Sequence, residues 1–344
     1  MDFPFGLPAV LKKEASPENG DSAPVRLSSF SVISTGSAPS SETQIPVCGA
    51  VFGPSGSLFD SAEEFDFDSL YSHYRQRICD LDESKADFLL LNRQTSLADM
   101  RAALLAARNK DLPVAACLTA DRKSRSCSFL SSLITLQAMG ISTFGFCGVP
   151  DDAMAESLRW ASAHTTVPLT VIADAEPGQS PEKYAEAVRP LLETGVRLLG
   201  CGHGTTLEHY RALGELAKKY GPPEISEEPD CLAAASDRET FFLGDDIQFS
   251  EPLSCSASLV DRLIDLDDEQ VTAALVYVDS VSDAELLGRC ASMSRLPIAV
   301  RADSPVALNA ALRYVQGRLI VDSGSSVERE VLEPMAAKYG AIVY

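Results

Sequence analysis

Residues 139–148 read MGISTFGFCG, and this stretch points directly to the fold class. A glycine follows a helical pattern, and a strand-like apolar run begins directly after it. Residues 194–201, TGVRLLGC, repeat the arrangement. Glycine just past a helix end is the usual left-handed cap, so each stretch predicts a helix that ends and a strand that follows. Two such junctions indicate successive helix–strand units.

Strand-like runs recur along the chain, and from residue 86 onward their starts are roughly 28 residues apart, the length of one strand–helix unit. The runs lie at 46–52, 86–91, 113–119, 141–147, 167–173 and 196–201. Most are separated by stretches with helical periodicity, and consecutive units of this kind require a parallel sheet. We predict an α/β fold with a (β/α)8 TIM-type barrel, incomplete at its N-terminus. An open α/β sheet is the alternative.

The pattern divides the chain into four parts. Residues 1–45 are rich in Ser, Pro, Gly and Glu and are expected to be mostly irregular. Residues 46–220 are expected to form the barrel, and the proline-rich, acidic stretch 221–240 to be a linker. Residues 241–344 carry further strand and helix patterns, which predict a second, smaller α/β half-barrel segment. It ends on a strand, so we expect it to be truncated or completed by another chain.

Composition excludes several classes of protein. The 344 residues include 49 acidic and 29 basic side chains, a net charge of −20, which repels a phosphate backbone and argues against nucleic-acid binding. No apolar run reaches the ~18–20 residues that cross a bilayer, and the first residues lack the pattern of a secretory signal. Nine irregularly spaced cysteines predict free thiols in a reducing compartment, and hence a cytoplasmic protein.

Candidate chemistry lies at two predicted strand ends, where barrel enzymes carry their reactive groups. Cys147 ends one strand, and Cys201 and His203 end another. Thiolate and imidazole are ligands that suit zinc, and a catalytic zinc keeps one exchangeable position for a substrate. Two alternatives remain open from the residues alone. Cys147 is also typical of a buried structural thiol, and the turn 200–204 of a loop that binds phosphate with backbone amides.

Residues 46–218 resemble the homocysteine S-methyltransferase family, including the homocysteine-binding barrel of cobalamin-dependent methionine synthase. The resemblance is carried by five motifs: GPSG at 53–56, ADFLLL at 86–91, ACLT at 116–119, MGISTFGFCG at 139–148 and RLLGCGHGTTLEH at 197–209. It implies a (β/α)8 barrel with zinc held by three cysteines, one after the sixth strand and two adjacent ones after the eighth. It also implies methyl transfer to the thiol of homocysteine, giving methionine.

The chain departs from the family pattern at its site. Cys147 matches the first zinc cysteine, whereas the adjacent pair falls on Gly202 and His203. Cys201 lies one position early and is a substitute ligand, so the resemblance implies a zinc site of Cys147, His203 and Cys201. Asn92 stands where the family has a substrate-binding Glu.

Substrate-binding residues also follow from the resemblance. Backbone amides of the turn at Gly202, Gly204 and Thr205 would bind the substrate carboxylate, and Asn92 would be part of the same substrate pocket. No catalytic acid or base is indicated. The methyl donor would be methylcobalamin, supplied by a cobalamin-carrying protein, S-methylmethionine or another methyl carrier, and the sequence does not choose among them. The rival hypotheses are a catalytically lapsed barrel that serves as a scaffold or regulatory subunit, and an anion-binding module that uses the glycine turn alone.

The second segment resembles the pterin-binding barrel that follows the homocysteine barrel in methionine synthase. The similar stretches are FLGDD at 242–246, LPIAV at 296–300, YVQGRLIVDS at 314–323 and KYGA at 338–341. Asp322 stands where that barrel usually has an Asn, and Gln248 lies near the place of another. Since the second half of that barrel is absent, folate binding is not predicted.

Overall fold

The computed structural model describes residues 9–13, 26–34, 45–55, 66–82, 85–123, 125–220, 232–266 and 270–344. The contacts between Cα atoms divide the chain into two compact units. Unit 1 consists of Met1–Arg125 and Ile141–Glu228, and unit 2 of Ser126–Gly140 and Pro229–Tyr344. The range 46–220 expected for the barrel includes 126–140, which the contacts group with unit 2. Residues 221–231 of the expected linker lie outside the described residues, and strands occupy much of 232–243.

Unit 1 contains eight strands, whose pairings form one closed ring in the order β1 to β8. They are β1 Ala9–Lys13, β2 Arg26–Ser34, β3 Ile45–Phe52, β4 Phe88–Gln94, β5 Val114–Thr119, β6 Thr143–Gly148, β7 Leu169–Ala173 and β8 Val196–Cys201. From β3 to β8 each neighbouring pair is parallel, and β8 pairs with β1 in parallel. An α/β fold with parallel strands is therefore confirmed.

The first three strands differ from a strand–helix repeat. β2 runs antiparallel to both β1 and β3, and no helix lies between β1 and β3 within the described ranges. From β3 onward, helices follow the strands. The helices of unit 1 are α1 Phe67–Cys79, α2 Leu97–Ala107, α4 Asp152–Ser162, α5 Pro181–Leu192 and α6 Leu207–Ala217. The departure from eight equal units lies in the N-terminal segment, which the sequence analysis expected to be mostly irregular.

Local sequence explains where these helices begin and where strands follow. Ser96, Asp151 and Ser180 cap α2, α4 and α5, since each side chain accepts a backbone N–H of the first turn. Gly140 and Gly195 have φ values of 88° and 92°, the left-handed conformation that the two glycine junctions predicted. These turns set the start of β6 and β8, and hence the positions of the strand ends.

The interior of the ring is an apolar cluster made of alternate strand residues, as expected when successive side chains point to opposite faces. Its buried members are Phe88, Leu90, Ala115, Cys117, Cys147 and Leu198. The alternate residues that point outward, such as Leu89, Phe146 and Leu199, are also buried. Sequence alternation thus assigns every strand-end residue to either the interior or the helix side.

Unit 2 is an α/β structure with two sheets. One is a parallel five-stranded sheet in the order β11-β12-β13-β15-β16, and the other is an antiparallel sheet in the order β10-β9-β14. The strands are β9 Leu232–Ser236, β10 Thr240–Leu243, β11 Leu253–Ser254, β12 Ala274–Tyr277, β13 Ile298–Arg301, β14 Gly317–Arg318, β15 Ile320–Val321 and β16 Ile342–Val343. The helices are α3 Phe129–Ala138, α7 Leu259–Asp265, α8 Val281–Cys290, α9 Pro305–Tyr314 and α10 Arg329–Tyr339.

Helix α3 follows β5 in the chain but packs within unit 2. Its Ile134 lies in an apolar cluster with Ala233 and Ala235 of β9, and Leu130 packs against the same cluster.

Among the described helices, none combines the length and apolar character needed to cross a membrane.

Candidate functional site

Five residues at the carboxyl ends of strands β4, β6, β7 and β8 form the feature that we call the barrel mouth: Arg93, Cys147, Asp174, Gly202 and His203. Arg93 lies near the end of β4, and Cys147 near the end of β6. Asp174 follows β7, and Gly202 and His203 follow β8. The carboxyl ends of barrel strands are where ligands and reacting groups meet, which makes this end of unit 1 the candidate site.

Asp174 is the centre of the barrel mouth. Its Oδ1 accepts the backbone N–H of His203 at 2.6 Å, and its Oδ2 accepts Arg93 Nη2 at 2.5 Å. The Asp174 side chain is 11% exposed, and that of Arg93 is 42% exposed. A carboxylate so enclosed requires charged or N–H partners, and these two bonds supply them. The barrel mouth therefore contains an internal ion pair.

Backbone hydrogen bonds fix Asp174 in this place. Its N–H donates to the carbonyl of Gly148 at 2.8 Å, and the next residue, Ala175, donates to the carbonyl of His203 at 2.9 Å. The N–H of Gly202 donates to the carbonyl of Ala173 at 2.7 Å. The loops after β6, β7 and β8 are thus joined around the carboxylate, which leaves Asp174 little freedom to move.

Arg93 has an unusual backbone conformation. Its φ is 54°, the positive value that residues other than glycine rarely adopt, and it lies where the register of β4 against β5 shifts between Leu91 and Gln94. Such a conformation costs on the order of 1–3 kcal/mol and persists only where its surroundings hold it. The Gln94 side chain does so here, since its Nε2 donates to the carbonyls of Phe52 and Asn92.

The electrostatic surroundings keep the Arg93 guanidinium charged. Burial acts to lower its pKa, but the hydrogen bond to Asp174 and the proximity of Cys147 and Asp174 raise it, and the net shift is upward. The barrel mouth therefore holds a permanent positive charge next to the apolar interior of the ring.

Cys147 lies inside the ring and is completely buried in the interior cluster. Burial raises the pKa of its thiol to about 11, while the charge and the backbone N–H of Arg93 act in the opposite direction. At neutral pH the residue is therefore a thiol. This environment agrees with the structural-thiol alternative as well as with a position at the barrel mouth.

Cys201 points to the opposite side of the sheet from Cys147. Its Sγ accepts the Tyr184 hydroxyl of α5 at 3.8 Å, and that hydroxyl also donates to the carbonyl of Ala173 at 3.0 Å. Burial raises the pKa of the Cys201 thiol to about 11. In β8, Leu198 belongs to the interior cluster, so Cys201, three positions on, faces the helices. The structure does not bring Cys201 to Cys147.

The turn after β8 already uses several of its backbone amides internally. The amides of Gly202 and His203 donate to Ala173 and Asp174, and the amide of Thr206 donates to the ring of His209. Thr205 binds the carbonyl of Gly202 through its hydroxyl at 2.7 Å. Within the described part of the chain, Gly204 and Thr205 are left with backbone N–H groups for a ligand. The His203 side chain is exposed.

Asn92 presents a buried polar atom that lacks a hydrogen bond. Its Oδ1 is inaccessible to solvent and has no partner among the described residues. A buried acceptor left without a donor costs about 1–3 kcal/mol, so such an atom marks a place where a ligand donor would be favourable. Asn92 directly precedes Arg93, and a donor that reached it would lie near the barrel mouth.

The residues of the barrel mouth do not fit the zinc site that the resemblance implies. The described ranges contain no group of three His, Cys, Asp or Glu side chains that could hold a metal ion. Cys201 faces α5, on the other side of the sheet from Cys147. At Gly202, where the family has a ligating cysteine, an added Cβ would lie 2.1 Å from Asp174 Oδ1.

Sequence reasoning missed the two residues that form the ion pair. Arg93 lies two positions after the apolar run LLL at 89–91, and Asp174 directly follows VIA at 171–173, and a charged residue at such a point was a usable signal. Their pairing depends on the positive φ of Arg93, which no sequence pattern indicated.

Comparison with known proteins identifies the same part of the chain. Residues 20–217 match the family model described as homocysteine S-methyltransferase. The chain is 24% identical over 308 residues to methionine synthase from Mycobacterium tuberculosis, and 23% identical over 314 residues to methionine synthase from Mycobacterium leprae. Each alignment covers 75% of this chain but only 26% of the relative, so the chain spans about a quarter of the length of these relatives.

Solved structures give a more distant likeness. The apo form of the homocysteine methyltransferase MmuM from Escherichia coli is 16% identical, with a TM-score of 0.41 over 49% of this chain and 61% of that chain. Its metallated form is 18% identical, with a TM-score of 0.40 over 48% of this chain and 59% of that chain.

Proposed function

The chain belongs to the homocysteine S-methyltransferase family, and from that premise we propose that its barrel mouth binds a thiol amino acid of the homocysteine class without a metal ion. In this proposal the barrel retains ligand binding, has lost metal-dependent methyl transfer and serves as a binding or regulatory subunit. The observation that carries it is the Arg93–Asp174 ion pair at the strand ends. Seven cysteines are free thiols, which supports a reducing compartment such as the cytoplasm: Cys79, Cys117, Cys127, Cys147, Cys201, Cys255 and Cys290.

Each end of a thiol amino acid has a complementary group at the site. Arg93 has five N–H donors, of which Asp174 accepts one, so its half-exposed guanidinium can also bind the ligand carboxylate. The Gly204 and Thr205 amides are further donors for the same group. A ligand ammonium would be the donor that the Oδ1 of Asn92 lacks once the Asn92 side chain turns toward the barrel mouth, because this atom is closed to solvent in the structure.

The interior wall beneath the barrel mouth suits the rest of the ligand. It is formed by apolar side chains and by the thiols of Cys117 and Cys147. Transfer of a short methylene chain that ends in a thiol from water to this apolar end of the barrel is favourable by about 0.8 kcal/mol per buried CH₂. A hydroxyl or a carboxylate at that end would be buried without a partner, so the wall favours thiols and thioethers.

Binding can be tested by isothermal titration calorimetry with L-homocysteine. Arg93→Met removes the charge but keeps an apolar stem, and should weaken binding at least about tenfold, because a charged hydrogen bond contributes about 1.5–3 kcal/mol. Arg189→Met is the matched control, since Arg189 pairs with Glu186 on the exposed side of α5. Equal affinities for the two variants, or no binding by the parent, would refute the proposal.

A second candidate is zinc-dependent methyl transfer to the thiol of homocysteine, giving methionine. Family membership and the location of Cys147 near the end of β6 support it. It requires Cys147, His203 and Cys201 to come together. Methionine formation by the purified chain, from S-methylmethionine or from methylcobalamin on a cobalamin-carrying protein, would establish it. Zinc below about one per chain, with no methionine formed, would exclude it.

A further inference from the structure

We infer that the Arg93 guanidinium is the resident cation of the barrel mouth, and that its partner Asp174 closes the position at which the family resemblance puts a zinc thiolate. The inference takes the barrel mouth as the ligand site and in that respect rests on the proposed function. Its test measures zinc rather than homocysteine, so the two can fail separately.

The first argument is steric. A Cβ at Gly202 would lie 2.1 Å from Asp174 Oδ1, and 3.1 Å from the backbone carbonyl oxygen of Ala173. A cysteine at residue 202 therefore cannot be accommodated while the carboxylate stays in place. Gly202 leaves the space that Asp174 fills, so the missing cysteine and the aspartate are two parts of one arrangement.

The carboxylate cannot move aside without breaking bonds. It would lose the His203 N–H at 2.6 Å and the Arg93 guanidinium at 2.5 Å, and its own backbone is held by the carbonyl of Gly148. The third cysteine of the family set falls on His203, whose amide is one of these donors. Restoring thiolates alone therefore leaves the obstacle in place.

Electrostatics oppose the metal as well. Arg93 and Cys147 are neighbours at the barrel mouth, since the backbone N–H of Arg93 lies against the Cys147 thiol. A divalent cation bound to Cys147 would therefore lie near the Arg93 guanidinium, and like charges repel. The positive φ of Arg93 directs its side chain to this place, at a cost in backbone strain. Because the Asp174 carboxylate is already paired with Arg93, it is not free to balance the charge of a second cation.

The experiment compares zinc uptake by four proteins after equilibrium dialysis, using plasma mass spectrometry. The first is the parent. The second is the double variant Gly202→Cys/His203→Cys, which restores the two thiolates, and the third is the double variant Arg93→Gly/Asp174→Ala, which removes the ion pair. The fourth, the combined variant, carries all four substitutions. Arg93→Gly suits the positive φ, since glycine adopts it without strain. Cobalt(II) is the second probe, because thiolate coordination gives charge-transfer absorption that reports the ligands directly.

We expect about one zinc per chain in the combined variant, with three thiolates at the site, and an affinity at least about 100-fold weaker in the other three proteins. Stoichiometric zinc in the parent, or in Gly202→Cys/His203→Cys at the affinity of the combined variant, would overturn the inference. So would a folded combined variant that binds none. If circular dichroism shows that the combined variant does not fold, the parent and Gly202→Cys/His203→Cys decide. Stoichiometric zinc in either of these two proteins overturns the inference, and its absence from both supports it.

Discussion

Substitution of Gly202 by alanine tests the packing of Asp174 against the turn after β8. The added Cβ would lie 2.1 Å from Asp174 Oδ1, whereas ordinary contact begins at 3.4 Å, so the carboxylate must withdraw by 3.4 − 2.1 = 1.3 Å. That movement breaks the hydrogen bond from the His203 amide, a charged bond that contributes about 1.5–3 kcal/mol. The half-exposed pair with Arg93 adds at most about 1 kcal/mol. We therefore expect Gly202→Ala to destabilise unit 1 by about 2–4 kcal/mol.

The matched control is the same substitution in an Asp174→Ala background. Without the carboxylate the nearest atom to the added methyl group is the Ala173 carbonyl oxygen at 3.1 Å, which needs to move only slightly, so the second change should cost less than about 1 kcal/mol and the two effects should not add. Urea unfolding followed by hydrogen exchange of the backbone amides of α4 and β8 reports on unit 1, because both elements belong to it. Hydrogen exchange of the His203 amide should accelerate in Gly202→Ala. Additive costs within about 0.5 kcal/mol would refute the reasoning.

Two further predictions concern packing and thiol ionisation. Gly145→Ala should destabilise the barrel by more than about 4 kcal/mol in urea unfolding, because the added Cβ would lie 1.6 Å from the backbone oxygen of Thr170. Gly53→Ala is the control: no atom lies within 4 Å of its added Cβ, so its free energy of unfolding should change by less than about 0.5 kcal/mol. Equal effects of the two substitutions would contradict the packing. Burial raises the pKa of Cys201 to about 11, so its thiol is protonated at pH 7 and should react with iodoacetamide far more slowly than that of exposed Cys79. The rate at Cys201 should rise about tenfold per pH unit toward pH 11. Peptide mass spectrometry that finds equal rates for the two cysteines at pH 7 would contradict this.

Much of the ring could be predicted because glycine caps and apolar runs are local signals. The run at 196–201 coincides with β8, Val196–Cys201, and the run at 113–119 with β5, Val114–Thr119, to one residue. The antiparallel pairing of β2 could not be predicted, since it depends on contacts with two other strands rather than on its own sequence. For the same reason, the packing of α3 in unit 2 left no local signal.

The candidate site was harder to predict because strand residues alternate between two faces. In GCGH at 200–203, a shift of one position exchanges the interior and helix sides, and the flanking glycines give no apolar pattern to fix the register. The structure fixes the register of β8: Leu198 lies in the interior cluster, and Cys201 contacts Tyr184 on the helix side. Arg93 and Asp174 are 81 residues apart in the chain, so their pairing follows only from the closed arrangement of the strands.

Ligand binding at the barrel mouth should not depend on metal. The most direct measurement is calorimetric titration of L-homocysteine into chain treated with EDTA, and again after addition of one equivalent of zinc. We expect binding of one homocysteine per chain with the same affinity in both titrations, because Arg93 and Asn92 supply the recognition. Binding that appears only after zinc is added would contradict the account.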